Sequence, residues 1–335
     1  MRFALWPHQM VAAGFTQPMI ASVLNGLLAS VATSTLTVYL ATLAKFATFT
    51  SNVMGLHSPF PAHPWLCAAY FTHVAQTSRS ETALTQASCA LRWGHQLLGF
   101  PDPTGHPLLS RLLTGWRRIL SRPPVRKSPF LFCHLELLVS KYGGAKASLV
   151  DLRNLLFCVL AFVGFFRFSE LANAKLRDIS FAPDDSFMVV HLPSSKTDQF
   201  RRGNEVFLSA NTSPVCPITL TRKYLLLACL PSPDSYLFQA MARGSTSYLS
   251  GRKLSYNATL TAIRSMAATI GLNPGSIGTH SFRAGGATAA YRAKVSDRLI
   301  RLQGRWRSET SKQRYLEDDL GQRLLVSQCI LQRPE

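Results

Sequence analysis

Apolar residues at helical spacing run through the first 120 positions of the chain. From Leu36 to Phe46 they recur every three or four residues, which predicts an amphipathic helix with Ser34 or Thr35 as its N-cap. Residues 1–30, rich in Ala, Leu and Ser, indicate a helix ahead of it. Further helices are predicted over residues 65–73, 81–99 and 108–120, between segments broken by Gly and Pro. This part of the chain therefore predicts a helical bundle.

A different pattern begins near residue 130. Residues 155–166 form a strongly apolar run that predicts a buried helix. Residues 187–192 and 204–208 alternate apolar and polar side chains, so we predict two strands joined as a β-hairpin. Helices are predicted over residues 216–230 and 256–270. This part is therefore expected to combine helices with a small antiparallel sheet.

A short segment separates the two patterns. Residues 121–129 read SRPPVRKSP, and such prolines, serines and basic side chains are typical of an exposed linker. We therefore predict a mainly α-helical chain of two domains, over residues 1–120 and 130–320. An apolar run at 324–331 predicts a tail helix within residues 321–335.

The chain is strongly basic. Its 335 residues include 36 Lys and Arg against 17 Asp and Glu, a formal charge of +19. Residues 1–129 hold 10 basic and 2 acidic residues, and residues 130–335 hold 26 and 15, so both halves carry the excess. A generic basic surface is one interpretation. Binding to a polyanion, with nucleic acid as the first expectation, is the other.

Cysteine and histidine usage disfavours several classes of site. The seven cysteines are odd in number and include no Cys-x-x-Cys, which disfavours disulfides and zinc ligands. We therefore expect reduced thiols in an intracellular protein. The nine histidines show no metal-ligand spacing, so no metal site is expected. The start of the chain has no clear signal-peptide pattern, so we do not expect secretion.

One uncharged stretch is similar to a membrane segment in composition. Residues 3–44 contain no Asp, Glu, Lys or Arg. Pro18, Asn25 and many Ser and Thr interrupt the stretch, and no run of about 20 residues is uniformly apolar. We therefore expect no membrane partner.

The residues with the clearest chemistry lie between positions 278 and 317, GTHSFRAGGATAAYRAKVSDRLIRLQGRWRSETSKQRYLE. His280 and Arg283 lie three residues apart, so a helix would bring them to one face. An imidazole beside a guanidinium is a good receptor for a phosphate, because Arg matches phosphate oxygens with two parallel donors. Tyr315 would add a hydroxyl that can attack this phosphate.

This stretch resembles the second signature box of the tyrosine recombinase (phage integrase) family: His-x-x-Arg, then His or Trp, then a nucleophilic Tyr. Trp306 follows Arg283 by 23 residues and Tyr315 follows Trp306 by 9, which is similar to the family's spacing. The segments SFRAGGAT and GRW look most like the recombinases of eukaryotic DIRS-type retrotransposons.

Two further segments resemble the family. Residues 164–171 are similar to its first box, in which Arg167 would match the first catalytic arginine and Glu170 the acidic residue that braces it. The box differs in having two phenylalanines where a single Leu is common. Without the resemblance, a structural ion pair between Arg167 and Glu170 is the simpler interpretation. Residues 195–197, Ser-Lys-Thr, resemble the hairpin turn that carries the family's catalytic lysine, here Lys196.

The resemblance implies a core-binding domain at residues 1–120 and a catalytic domain of the DNA breaking-rejoining type at residues 130–320. The implied catalytic set is Arg167, Lys196, His280, Arg283, Trp306 and Tyr315, with Glu170 in support. Tyr315 would attack a DNA phosphodiester and form a 3′-phosphotyrosine, while Lys196 would protonate the departing 5′ oxygen. No metal, ATP or other cofactor is implied.

The implied partner is duplex DNA, clamped between the two domains of each protomer in a homotetramer that assembles through dimers. The basic residues expected to contact DNA are Arg122, Arg126, Lys127, Arg201, Arg202 and Arg305. The implied function is site-specific recombination for a mobile element. Its location would be the nucleus in a eukaryote, or the cytoplasm in a bacterium or phage infection.

Three other functions are compatible with parts of the pattern. A DNA-binding protein could keep this fold without its catalysis, although the complete residue set disfavours that. A type IB topoisomerase uses similar chemistry, but the short chain and the helical first domain favour a recombinase. A two-metal nuclease would need clustered carboxylates on separate elements, which the sequence does not suggest.

Overall fold

A computed structural model describes residues 5–53, 55–56, 58–123, 126–193, 203–247, 249–313, 315–316 and 320–331. The chain divides into two compact units, Met1–Pro124 and Val125–Glu335. The division falls inside the proline-rich segment at residues 121–129. Helices predominate, together with small antiparallel sheets, so the predicted fold class is confirmed.

The first unit is a helical bundle. Its helices are α1 (Leu5–Ala12), α2 (Gln17–Leu28), α3 (Thr33–Asn52), α4 (Pro64–Ser78), α5 (Glu81–Leu98) and α6 (Pro107–Leu120). Its core combines aromatic and aliphatic side chains, and Phe46 of α3 packs against Tyr70 of α4 with ring centroids 5.0 Å apart. Ser80 caps α5 by accepting a hydrogen bond from the Ala83 N–H, and Gly99 ends it in a left-handed conformation.

Two local predictions for this unit are wrong. The single helix expected over residues 1–30 is two helices, separated at Gly14, whose φ of +83° is not helical. Ser34 and Thr35 lie inside the first turn of α3, which begins after Ala32 and has no side-chain cap. Within the described residues no single helix is long and apolar enough to cross a membrane. Among the described helices, only α2 and α3 taken together, bent by 101°, have the required length and composition.

The second unit mixes helices and strands. Its first elements are α7 (Phe132–Tyr142), α8 (Leu149–Val163), α9 (Phe168–Asn173), β1 (Ile179–Phe181), β2 (Phe187–Leu192), β3 (Asn204–Ser209) and α10 (Pro217–Ala228). There follow β4 (Gln239–Met241), β5 (Leu249–Lys253), α11 (Tyr256–Thr269), α12 (Thr279–Arg292), α13 (Asp297–Gly304), α14 (Glu309–Gln313) and α15 (Leu320–Leu331).

The strands form two separate antiparallel sheets. The order β1-β2-β3 makes one, and β4 pairs with β5 in the other. The predicted pairing of β2 with β3 is confirmed, with Phe187 opposite Ser209 and Leu192 opposite Asn204. The predictions omit β1, β4 and β5, because strands of three to five residues offer too little alternation to detect.

Helix α8 is the central element of the second unit. It is buried along almost its whole length and contacts α7, α10, α11 and α12. Ser148 caps it by accepting from the Asp151 N–H at 3.1 Å, while the Asp151 carboxylate accepts from the Ser148 N–H at 3.3 Å. The helix ends at Val163, earlier than the apolar run predicts. The residues after it form the loop that leads to Arg167.

Two adjacent glycines allow α12 to pack closely on its neighbours. A Cβ built on Gly285 would lie 1.7 Å from the carbonyl oxygen of Phe130. One built on Gly286 would lie 2.0 Å from that of Phe162, at the end of α8. Both atoms belong to the backbone and cannot rotate away as the end of a side chain could, so this crossing requires glycine. It fixes the distance between the loop after α8 and the helix that carries His280.

We expect Gly286→Ala to destabilise the protein by about 1–3 kcal/mol, because the added methyl overpacks a contact with backbone. Urea unfolding of the full chain measures the change. The matched control is Gly144→Ala, where a Cβ would meet no atom within 4 Å. Equal stability of the two variants would show that α8 and α12 do not pack this closely in solution.

Candidate active site

One cleft of about 580 Å³ in the second unit gathers most of the predicted catalytic residues. Its lining comes from the loop before α9 and from α9, α11, α12, the turn after α13, and the segment around α14. The lining residues are Arg167, Phe168, Ser169, Tyr256, Thr279, His280, Trp306, Arg307, Ser311 and Tyr315. Four of the six predicted catalytic residues are among them: Arg167, His280, Trp306 and Tyr315.

Arg167 is held in the cleft by Glu170. The guanidinium Nη1 donates to Glu170 Oε1 at 2.6 Å, and the backbone N–H of Arg167 donates to Oε2 at 2.8 Å. The Glu170 side chain is 1% exposed, whereas that of Arg167 is 13% exposed and lines the cleft. The structural ion pair and the cleft arginine, which the sequence left as alternatives, are therefore the same feature.

Arg305 is the second partner of Glu170, which corrects its expected role as a DNA contact. Its Nη2 donates to Glu170 Oε2 at 2.7 Å and to the Phe165 carbonyl at 2.9 Å. Its Nη1 donates to the carbonyls of Gly164 at 3.1 Å and Gln303 at 2.6 Å. The residue is buried and both terminal nitrogens are occupied, so Arg305 braces the site from inside.

The charges around Glu170 favour its ionised form. Burial by itself would raise the pKa of this carboxyl group. The charge of Arg305, the backbone N–H and charge of Arg167, and the charge of Arg283 together hold the pKa below its usual range. The site therefore contains one buried carboxylate that faces three guanidinium groups.

We expect Glu170→Gln to destabilise the protein by about 3–5 kcal/mol at neutral pH, because it leaves a buried guanidinium without its counter-charge. Glu136→Gln, at an exposed position on α7, is the control and should change stability by less than about 0.5 kcal/mol. Because the folded pKa of Glu170 is lowered, its contribution is present above the ordinary pKa of about 4.3 and is lost as pH falls through the folded value. Urea unfolding from pH 7 downward should therefore show the free energies of unfolding of the native protein and Glu170→Gln converging. A difference that stays constant with pH would contradict this account.

Arg283 lies behind the cleft and not in its lining. Its side chain is fully buried, and its two terminal nitrogens donate to the carbonyls of Phe165 and Gly304. Its guanidinium carbon lies 4.5 Å from the ring centroid of Trp306 and 5.2 Å from that of Tyr315. Burial, with the nearby charges of Arg167 and Arg305, lowers the pKa of Arg283 to about 9. His280 and Arg283 lie three positions apart on α12, as the sequence predicts, but His280 is exposed whereas Arg283 is buried.

Tyr315 stands among the other predicted site residues. Its ring centroid lies 5.3 Å from that of Trp306 and 6.0 Å from that of His280. Its backbone N–H donates to the Lys312 carbonyl at 2.8 Å, and its carbonyl accepts from Thr288 Oγ1 at 3.2 Å. A buried donor without an acceptor costs about 1–3 kcal/mol. In the described part of the chain the buried Nε1 of Trp306 is such a donor, as are the Nε atoms of Arg283 and Arg305.

The remaining predicted site residues are absent from the lining of this cleft or lie outside the described residues. Lys196, Arg201 and Arg202 lie outside the described residues. Arg122, Arg126 and Lys127 are exposed. Lys127 Nζ donates to the Gly275 carbonyl at 2.6 Å, so one of the proposed phosphate ligands also has a protein partner.

The predictions missed several polar residues of the cleft. Arg307 and Ser311 line it next to Trp306 and Tyr315, and Thr279 precedes His280. Their proximity in sequence to the box residues was the available signal. Among the described residues no group of three or more His, Cys, Asp or Glu is arranged to hold a metal ion.

Comparison with known proteins gives one curated relative and several structural neighbours. A search with protein-family models returns no match. The chain is 26% identical over 261 residues to an integrase/recombinase XerD homologue of Selenomonas ruminantium, covering 77% of this chain and 74% of that protein.

Among solved structures the fold is similar to that of XerH site-specific recombinase bound to palindromic difH substrate in a post-cleavage complex. The TM-score is 0.59 at 15% identity, covering 89% of this chain and 80% of that one. It is also similar to the Tn1549 transposon integrase in complex with transposon right end DNA, with a TM-score of 0.52, 13% identity and coverage of 82% and 86%. At these identities the structures show a shared fold, and the curated relative supports the family.

Proposed function

We propose that this chain, as a member of the tyrosine recombinase/integrase family, cleaves and rejoins duplex DNA through a covalent 3′-phosphotyrosine at Tyr315. One observation carries the proposal: Arg167, His280, Trp306 and Tyr315 line the same cleft. A guanidinium, an imidazole and a phenol beside one space are groups that suit displacement at a phosphodiester, because they supply a fixed charge, a proton acceptor and a nucleophile.

The arginines would stabilise the transition state. A phosphodiester is already an anion, and attack by a second oxygen concentrates charge on the non-bridging oxygens, so fixed positive groups lower the barrier. Arg167 is suited to this role because Glu170 holds both its backbone and its guanidinium. Arg283 supports the site from behind the aromatic rings, where its charge lies 5.2 Å from the Tyr315 ring centroid.

The covalent step would proceed at Tyr315. The phenolic oxygen bonds to phosphorus, the bond from phosphorus to the 5′ oxygen breaks, and the 5′ oxygen takes up a proton. His280, whose ring centroid is 6.0 Å from that of Tyr315, is the neighbouring group that can accept the phenolic proton. Lys196 is the proposed donor to the 5′ oxygen. Attack by another 5′ hydroxyl on the phosphotyrosine then rejoins a strand and restores Tyr315, so the two steps consume no energy source.

The proposed partner is duplex DNA. The formal charge of +19 supports it, because many phosphates can be neutralised by a chain this basic. XerH and the Tn1549 integrase, whose folds are similar, are bound to DNA in their structures. The exposed Arg122 and Arg126 are proposed phosphate ligands, together with Arg201 and Arg202.

A role for a mobile element is the finer proposal. The resemblance of SFRAGGAT and GRW to DIRS-type recombinases supports it, as does the fold shared with a transposon integrase. The proposed assembly is a homotetramer reached through dimers, in which α15 contacts a neighbouring protomer. Leu324, Ile330 and Leu331 of α15 are exposed, which favours such a contact. The proposed location is the nucleus in a eukaryote, or the cytoplasm in a bacterium or phage infection.

The test is a covalent trapping assay. Duplex DNA from the flanks of the chain's own coding element, nicked near the scissile bond, loses a short strand on cleavage and traps the phosphotyrosine. A protein–DNA adduct that survives denaturing electrophoresis would support the proposal. Tight binding to the same DNA without any adduct would instead favour a catalytically silent DNA-binding protein.

A further inference from the structure

Lys312 is a buried lysine three residues before the proposed nucleophile. Its side chain is 2% exposed, although it lies on α14, a helix of five residues at the surface of the second unit. Its ammonium nitrogen lies 2.6 Å from Asp297 Oδ1 and 2.5 Å from Glu309 Oε1. Both carboxylates are largely exposed, at 62% and 46%. The lysine thus connects α14 to the first residue of α13.

The backbone of Tyr315 depends on this short helix. Its N–H donates to the carbonyl of Lys312 at 2.8 Å, directly after α14 ends at Gln313. A five-residue helix is unstable by itself, because too few hydrogen bonds follow the costly first turn. Tertiary contacts must therefore hold α14. Besides the contacts of Lys312, the Thr288 hydroxyl holds Tyr315 through its carbonyl at 3.2 Å.

We infer that Lys312 is a positioning residue for the nucleophile. Through its ion pairs with Asp297 and Glu309, Lys312 holds Tyr315 in the cleft. The inference rests on the proposed function of Tyr315. Hydrogen bonds and attraction from the two carboxylates outweigh burial and raise the pKa of Lys312, so the ammonium stays charged at neutral pH. Lys312 does not line the cleft, so it acts on the reaction through the position of Tyr315.

The variant Lys312→Met tests this role, since it keeps the apolar stem and removes the charge. We expect single-turnover cleavage of the nicked DNA to slow by about 10–100-fold, because a misplacement near 1 Å costs about that much. DNA affinity should stay within about twofold of the native value. Lys146→Met, which removes an exposed lysine of the same unit, is the matched control and should cleave at the native rate.

A second measurement separates positioning from general damage to the fold. In a Tyr315→Phe background a hydroperoxide anion can attack the phosphorus in place of the phenol, with the same 5′ oxygen leaving. Adding Lys312→Met to this background should leave peroxide-dependent cleavage unchanged, because no protein nucleophile is then being positioned. A fall equal to that seen with Tyr315 present would overturn the inference, as would native cleavage by Lys312→Met.

A third measurement does not depend on DNA cleavage. Hydrogen exchange at the backbone amides of residues 315 and 316 should become at least about tenfold faster in Lys312→Met than in Lys146→Met. If the native protein forms no adduct with DNA, the proposed function fails, whereas this exchange still tests whether Lys312 holds Tyr315. Unchanged exchange would overturn the inference in either case.

Discussion

Replacing Tyr315 with Phe should abolish the covalent protein–DNA adduct while DNA affinity stays within about twofold. The phenolic oxygen is the atom proposed to bond to phosphorus, and no other side chain can supply it once it is removed. The ring itself remains, so packing against Trp306, with centroids 5.3 Å apart, is retained. Trapping on nicked DNA and an equilibrium binding assay measure the two quantities.

The matched control for this prediction is Tyr291→Phe. Tyr291 belongs to α12, is 37% exposed and does not line the cleft. It should form adducts at the native level. An adduct from Tyr315→Phe together with none from Tyr291→Phe would show that the nucleophile has been assigned to the wrong residue.

Replacing Lys196 with Ala should slow single-turnover cleavage by about 10²–10⁴-fold, the usual contribution of a general acid. An alkoxide is a poor leaving group, so the 5′ oxygen needs a proton as its bond to phosphorus breaks. Lys196 follows β2 and precedes β3, in the connection between these paired strands. We propose that its amine donates this proton when DNA is bound.

Sulfur in place of the bridging 5′ oxygen tests this assignment. A thiol ionises near pH 8.5, far below an alcohol, so a thiolate leaves without protonation. The modified DNA should restore cleavage by Lys196→Ala but not by Arg167→Ala, whose loss concerns the non-bridging oxygens. Equal rescue of both variants, or none for the lysine variant, would mean that another residue supplies the proton.

The sequence by itself determined several of the local elements and the set of candidate catalytic residues. Helices α4, α5 and α6 and the strands β2 and β3 were predicted because periodic apolar positions, with glycine and proline at the breaks, are local signals. The order and spacing of the two boxes indicated the recombinase family, which the curated relative supports. Four of the residues that carry this resemblance line one cleft in the structure.

The tertiary structure alone decided how the charged residues are divided between the cleft and the interior. Spacing on α12 suggests that His280 and Arg283 act side by side, yet Arg283 is buried and donates to the carbonyl of Phe165, 118 positions earlier. Arg305, expected at the DNA, pairs with Glu170, 135 positions earlier. A sequence pattern specifies which face of a helix a residue occupies. Whether that face meets solvent, a carboxylate or an aromatic ring depends on segments brought together from distant parts of the chain.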